Sequence, residues 1–153
     1  LGAGDKIINN SGPIFNSKEK IIFFPYTFSD SINKDLIINL RSINSGMPYC
    51  HNAICFINDG SRYDKRYKIS ADYAHFLDYL KRNHLNFNKL MDNLQGNISI
   101  EFESCLGISS KSFFVKNIEN IIIIYRQFGI LKTYLYFWHT LKRIIKKVWN
   151  MKK

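Results

Sequence analysis

Residues 68–80, KISADYAHFLDYL, leave the backbone few options. Tyr73, Phe76, Leu77 and Leu80 recur at helical spacing, so an α-helix lines them up on one stripe while a strand scatters them over both faces. A helix with such a stripe must be seated on a core, which the rest of the chain has to supply. Ser70 stands where an N-cap is wanted, and its hydroxyl is expected to accept a bond from an amide near Asp72 or Tyr73. Asp72 falls in the first turn, where the helix dipole favours a carboxylate. It is either a helix-start acid with no further duty or a carboxylate held in place for chemistry.

The material for a core is present. Of the 153 residues, 46% are hydrophobic and 15% aromatic, enough for one packed domain and too apolar for a disordered chain. Residues 20–28, KIIFFPYTF, have strand composition, with Pro25 implying an edge or a bulge. Residues 29–45 read either as a short helix capped by Ser31 and running through Leu40 or as extended chain. Residues 48–58, PYCHNAICFIN, suit a buried strand entered through a polar corner at His51 and Asn52 and ended by Asp59 and Gly60. Residues 62–68 form an exposed connection into the Ser70 helix, which Asn83 and His84 close. Residues 86–94 and 97–103 resemble two strands of a hairpin around Gln95 and Gly96. After the glycine turn in CLGISSKSF, Ser110 is expected to cap a helix from about Lys111 to Phe128, stopped by Gly129 acting as a C-cap. Cys50, Cys55 and Cys105 form no CxxC pair, which argues against a zinc site or a disulfide framework; Cys50 and Cys55 are expected to pack as small hydrophobes.

Charge divides the chain in two. The total is +10, yet no Asp or Glu follows Glu119, while eight lysines and arginines do. Residues 1–119 carry 14 basic and 12 acidic side chains and are nearly neutral. Residues 130–153 predict a basic amphipathic helix: Leu131, Tyr134, Leu135, Trp138, Leu141, Ile145, Val148 and Trp149 on one side, with Lys132, Lys142, Arg143, Lys146 and Lys147 mostly on another. A membrane-spanning helix needs about 20 uninterrupted apolar residues, and Arg126, Gly129 and Lys132 interrupt this one. Two arrangements stay open: an in-plane helix on an anionic membrane, with Trp138 and Trp149 at headgroup level, or a terminal helix packed on the body or another subunit. The pattern fits a membrane surface better than a nucleic-acid groove, so no nucleic-acid partner is expected.

At the start, LGAGD sets Gly4 and Asp5 in a small-residue string where a ligand can approach and a hard cation can be held, although a plain turn explains the same letters. Taken in order, LGAGD, PYCHNA, KISADYAHFL and LGISS resemble the C-terminal half of a bacterial family 2 glycosyltransferase, of the kind that builds colanic acid, capsule or lipopolysaccharide. The resemblance covers roughly residues 1–129. It implies an α/β chain: the C-terminal part of a GT-A mixed sheet with flanking helices, followed by the amphipathic helix. It also implies inverting sugar transfer from a nucleotide-sugar to a glycan or lipid-linked acceptor, at the cytoplasmic face of the cell membrane.

Within that resemblance Asp5 matches the last acid of the DXD-type motif, which holds Mg²⁺ or Mn²⁺ on the donor diphosphate. Ala3 stands where many relatives have another acid. Asp72 matches the acid of the Ala-Asp-Tyr motif, the general base for the acceptor hydroxyl, which is a poor nucleophile until its proton leaves. His51 matches the His of Cys-His-Gln, with Asn52 replacing Gln; the pair is an acceptor or phosphate contact or a buried corner. Ser109 and Ser110 match the Gly-Gly-Ile-Ser turn, either a loop closing on acceptor or phosphate or a helix cap, with Leu106 replacing the first Gly. The nucleotide-binding half is expected upstream of Leu1, so the chain is read as a fragment without activity of its own. His75, His84 and His139 show no ligand spacing and are read as ordinary.

Overall fold

The computed structural model describes residues 6–10, 20–29, 37, 42–93, 98–102 and 112–150. The protein is mixed α/β. One sheet has the order β1 (Lys6–Asn10), β5 (Ile98–Phe102), β3 (Tyr26–Phe28), with β5 antiparallel to β1 and parallel to β3. A second pairs β2 (Ile21–Phe23) with β4 (Ile54–Phe56) in antiparallel register. Residues 20–28 are therefore two strands in different sheets. Pro25 is the reason: it has no N–H for a ladder, so the chain leaves one sheet there and enters the other, while its carbonyl accepts from the Ile100 amide at 2.9 Å.

Helix α1 (Ala71–Arg82) seats its stripe as the spacing requires: Tyr73, Phe76, Leu77 and Leu80 are buried, joined by Ala74 and Tyr79. Phe76 meets Phe23, Phe56 and Phe87 edge-on, so β2, β4 and α1 share one aromatic core. Buried tyrosines tie that core to the backbone around it. Tyr49 Oη donates to the carbonyls of Phe24 and Ile37 (2.9 and 2.7 Å), Tyr73 Oη to Ile43 (2.6 Å) and Tyr79 Oη to Lys20 (2.6 Å). Burial, with lesser contributions from Tyr26 and Cys50 at Tyr49 and from Tyr136 at Tyr73, raises the hydroxyl pKa of both, so both stay neutral donors. Beyond α1, Asp59 takes the Asn83 side-chain amide at 3.2 Å and lies 3.6 Å from Arg82, which fixes the turn at Gly60 to the helix end.

Two expectations are corrected, and one left open is decided at a single residue. Residues 86–93 are not a strand: Phe87–Asn93 is a 3-10 helix, because Asn86 satisfies the amides of Asn88 and Lys89 locally, and Leu90 is buried. Strand β5 consequently finds its partners far away in sequence, at β1 and β3, rather than in a hairpin. The strand over 48–58 is shorter than read, since His51–Ala53 form a 3-10 turn before Ile54–Phe56, although the polar corner falls where expected. Within residues 29–45, Ile37 bridges Tyr26 in an extended pairing, against a helix at that point.

Beyond Ser112, which stands in N-cap position with its carbonyl taking the Lys116 amide, two helices follow: α2 (residues 113–128) and α3 (residues 130–150). The start at Phe113 lies two residues later than read. Gly129 separates the helices with φ +77° and ψ −175°, a conformation essentially reserved for glycine. The chain folds back on itself there. Tyr136 is buried, donates to Asn117 Oδ1 at 2.7 Å and accepts from Asn120 Nδ2 at 3.1 Å, so α3 is pinned along α2. Helix α2 in turn lies on the body through Ile123 and Ile124 and through Gln127, which donates to Asp78 at 2.7 Å. Among the described residues no helix is long and apolar enough to cross a membrane.

Candidate active site

Asp72 occupies the first turn of α1, as its position after Ser70 predicts. Its Oδ1 accepts the Tyr73 amide at 2.8 Å, and its Oδ2 lies 3.3 Å from His51 Nδ1. The side chains are about one-quarter and one-half exposed, at 25% and 50% respectively, so the pair faces solvent at the edge of the core. His51 arrives because the 3-10 turn His51–Ala53 feeds β4, whose residue Phe56 packs on His75, Phe76 and Tyr79 of α1. Two residues singled out separately in sequence, 21 positions apart, thus meet as an imidazole–carboxylate pair. The contact is a close approach of imidazole to carboxylate, and both side chains stay open enough for an incoming hydroxyl to reach either group. Tyr63 forms part of the surroundings: partial burial and then the Asp72 charge raise its hydroxyl pKa, and its ring centroid lies 4.6 Å from that of His75.

The Ser70 cap is not made as expected. No side-chain cap bond forms; the Ser70 hydroxyl lies 3.5 Å from the Lys116 carbonyl of α2 instead. The capping is done by Glu119, reaching across from α2. Its carboxylate accepts the amides of Lys68 (2.7 Å), Ile69 (2.9 Å) and Ser70 (2.7 Å). Glu119 is the one charged side chain buried among the described residues. Burial pushes its pKa up, but the three amides and the Ser70 hydroxyl more than reverse this, and the carboxyl ends below its ordinary value. Glu119 therefore fixes the entry to α1 two residues before Asp72. Sequence reasoning missed it; the available signal was a lone acid inside the apolar run IENIIII.

Of the remaining expected site residues, Asn52 stands beside His51 in the 3-10 turn and is exposed, so it is an open corner rather than a buried one. Gly4, Asp5, Ser109 and Ser110 lie outside the described residues, as do Ala3, Leu106 and Cys105. Among the described residues no group of three His, Cys, Asp or Glu side chains is arranged to hold a metal ion. Cys50 and Cys55 are partly buried and pack against the core as small hydrophobes. His75 packs against aromatic rings, and its Nδ1 is buried with no partner among the described residues.

On α3, Trp138 and Trp149 are 45% and 66% exposed, and Leu131, Tyr134 and Ile145 are exposed with them. The face the helix turns to the body is instead narrow, carried by Tyr136 and Thr140. Lys142 holds its ammonium 5.3 Å from the Trp138 ring centroid, and Arg143 and Lys146 are exposed beside it. The side chain of Lys147 lies outside the described residues. Compared with protein-family models, with curated proteins and with solved structures, the chain shows no significant match.

Proposed function

We propose that the chain is the acceptor-side part of an inverting glycosyltransferase of GT-A architecture. The observation that carries this reading is the 3.3 Å approach of His51 to Asp72 at the start of α1. The sequence resemblance nominated the two residues on separate grounds, Asp72 as the base for the acceptor hydroxyl and His51 as an acceptor or phosphate contact or a buried corner. In this reading Asp72 takes the proton of the acceptor hydroxyl as the oxygen attacks the sugar, and His51 orients the carboxylate and can receive the proton in turn. Glu119 is a positioning residue that keeps Asp72 in place through the backbone of residues 68–70. Attack from the face opposite the leaving nucleotide inverts the anomeric centre.

The donor is a nucleotide-sugar and the acceptor a glycan or lipid-linked saccharide. The resemblance gives Asp5 the Mg²⁺ or Mn²⁺ that neutralises the departing diphosphate, a role that rests on sequence alone. The exposed apolar face of α3 and its cations support work at the anionic inner face of the cell membrane. Sugar transfer by a full-length protein carrying this sequence tests the reading. Asp72→Asn and Asp5→Ala should both lose transfer, and wild-type rates in both would remove it.

The same α3 face favours a second reading, a membrane-surface module without catalysis. Vesicle binding that persists in Asp72→Asn, together with no transfer from any longer protein, would select it.

A further inference from the structure

The turn over residues 42–46 runs close to both helices of the C-terminal hairpin. A Cβ placed on Gly46 would lie 3.1 Å from the Asn120 Nδ2 of α2, a tight contact, and Gly46 holds φ +111°, a backbone conformation that favours glycine. Between this turn and α3 remains an open cleft of about 400 Å³. Lys132, Leu135, Tyr136, His139 and Arg143 line it from α3, and Ser42 and Ser45 line it from the turn.

We propose that this cleft binds the phosphate or diphosphate headgroup of an anionic membrane lipid. The three basic residues follow one another at seven- and four-residue intervals, which sets them in a row along one flank of α3. Among the described residues no acid lines the cleft and none of the three is ion-paired. Lys132 and Arg143 stand on either side of His139 along the row, so an anion entering the cleft meets positive charge from two directions. Arg143 is partly fixed already: its Nη2 donates to the buried Thr140 hydroxyl at 3.1 Å, which steers the guanidinium toward the body and leaves other N–H groups for phosphate oxygens. Opposite the cations the Ser42 hydroxyl can donate to an oxyanion, whereas the Ser45 hydroxyl already donates to the Ser42 carbonyl at 2.6 Å.

The lipid origin follows from the neighbouring face. Leu131, Tyr134, Trp138, Ile145 and Trp149 are exposed on the same helix. When those side chains enter the apolar edge of a bilayer, the cleft on the adjacent flank stands at headgroup level, and Leu135 joins the two surfaces. The site needs no transfer chemistry. Loss of activity at Asp72 would leave it standing, and its own failure would leave Asp72 untouched.

The test uses the 153-residue chain with vesicles of phosphatidylcholine containing either phosphatidic acid or, at equal surface charge, phosphatidylglycerol. Inorganic pyrophosphate in solution is the soluble arm. Lys132→Gln/Arg143→Gln is compared with Lys142→Gln/Lys146→Gln, which removes the same charge outside the cleft; circular dichroism confirms that both remain folded. The wild type should prefer phosphatidic acid by about tenfold, as expected from one additional charge-assisted hydrogen bond to its terminal phosphate. The cleft variant should lose that preference. The outer variant should bind both vesicles more weakly and keep it. Pyrophosphate binding lost only in the cleft variant, without a lipid preference, would keep the site and make free phosphate its source. Parallel losses in both variants, with no pyrophosphate binding by the wild type, would overturn the proposal.

Discussion

Glu119→Gln preserves the shape of one side chain and removes its charge, which isolates what the carboxylate does for α1. In the wild type Oε1 takes the Lys68 amide, and Oε2 takes those of Ile69 and Ser70, all within 2.9 Å. Glutamine has a single carbonyl oxygen. Set in the Oε2 position it keeps two of the bonds, but its NH₂ then faces the Lys68 N–H, donor against donor. A hydrogen bond to a charged acceptor contributes about 1.5–3 kcal/mol, so losing one and neutralising two should cost about 3 kcal/mol. For a chain of this length that lowers Tm by about 6–12 °C. The sign of the pH dependence follows from the lowered pKa of Glu119. Its contribution is complete above the ordinary glutamate range and is lost as pH falls through the lowered folded value. The gap between wild type and variant should therefore be full at neutral pH and close on acidification. Thermal melts followed by circular dichroism at pH 7 and at descending pH measure both. Coincident melting curves at pH 7 would refute the latch.

Other perturbations address the hairpin and the core. Gly129→Ala meets no atom within 4 Å, so its cost is purely that of the backbone conformation, about 1–3 kcal/mol, read as a shift in urea midpoint. An unchanged midpoint would mean that the bend is not as described. Tyr136→Phe removes the hydroxyl shared by Asn117 and Asn120 and should cost about 1–2 kcal/mol, with faster amide exchange along residues 130–150 as α3 loosens. Phe76→Ala opens a cavity where three aromatic rings meet and should cost about 3–5 kcal/mol by chemical denaturation. Trp138→Ala/Trp149→Ala, at exposed positions, should weaken vesicle binding while leaving Tm nearly unchanged.

Much of this architecture was legible where one short-range pattern determined the outcome. The stripe at Tyr73, Phe76, Leu77 and Leu80 needed only helical periodicity, and the Gly129 break needed only the rarity of glycine inside a helical run. What failed depended on long-range choices. Nothing local in ISIEF says that its neighbours are KIINN and YTF, so a nearby hairpin looked the simpler solution. The 3-10 helix over Phe87–Asn93 defeated a strand reading because Asn86 satisfies nearby amides. Ser70 met the rules for a helix cap, yet the α1 entry is held from 49 residues away by Glu119, whose full charge serves three amides at once. At the site, sequence nominated His51 and Asp72 individually; only the packing of β4 on α1 brings them together.

The most direct test of the central claim is a kinetic comparison of Asp72→Asn with wild type in a full-length protein carrying this sequence. Removing a general base should reduce kcat for sugar transfer by about 10²–10⁴-fold while KM for the nucleotide-sugar stays close to the wild-type value. An unreduced kcat would contradict the assignment and return Asp72 to the role of a helix-start acid.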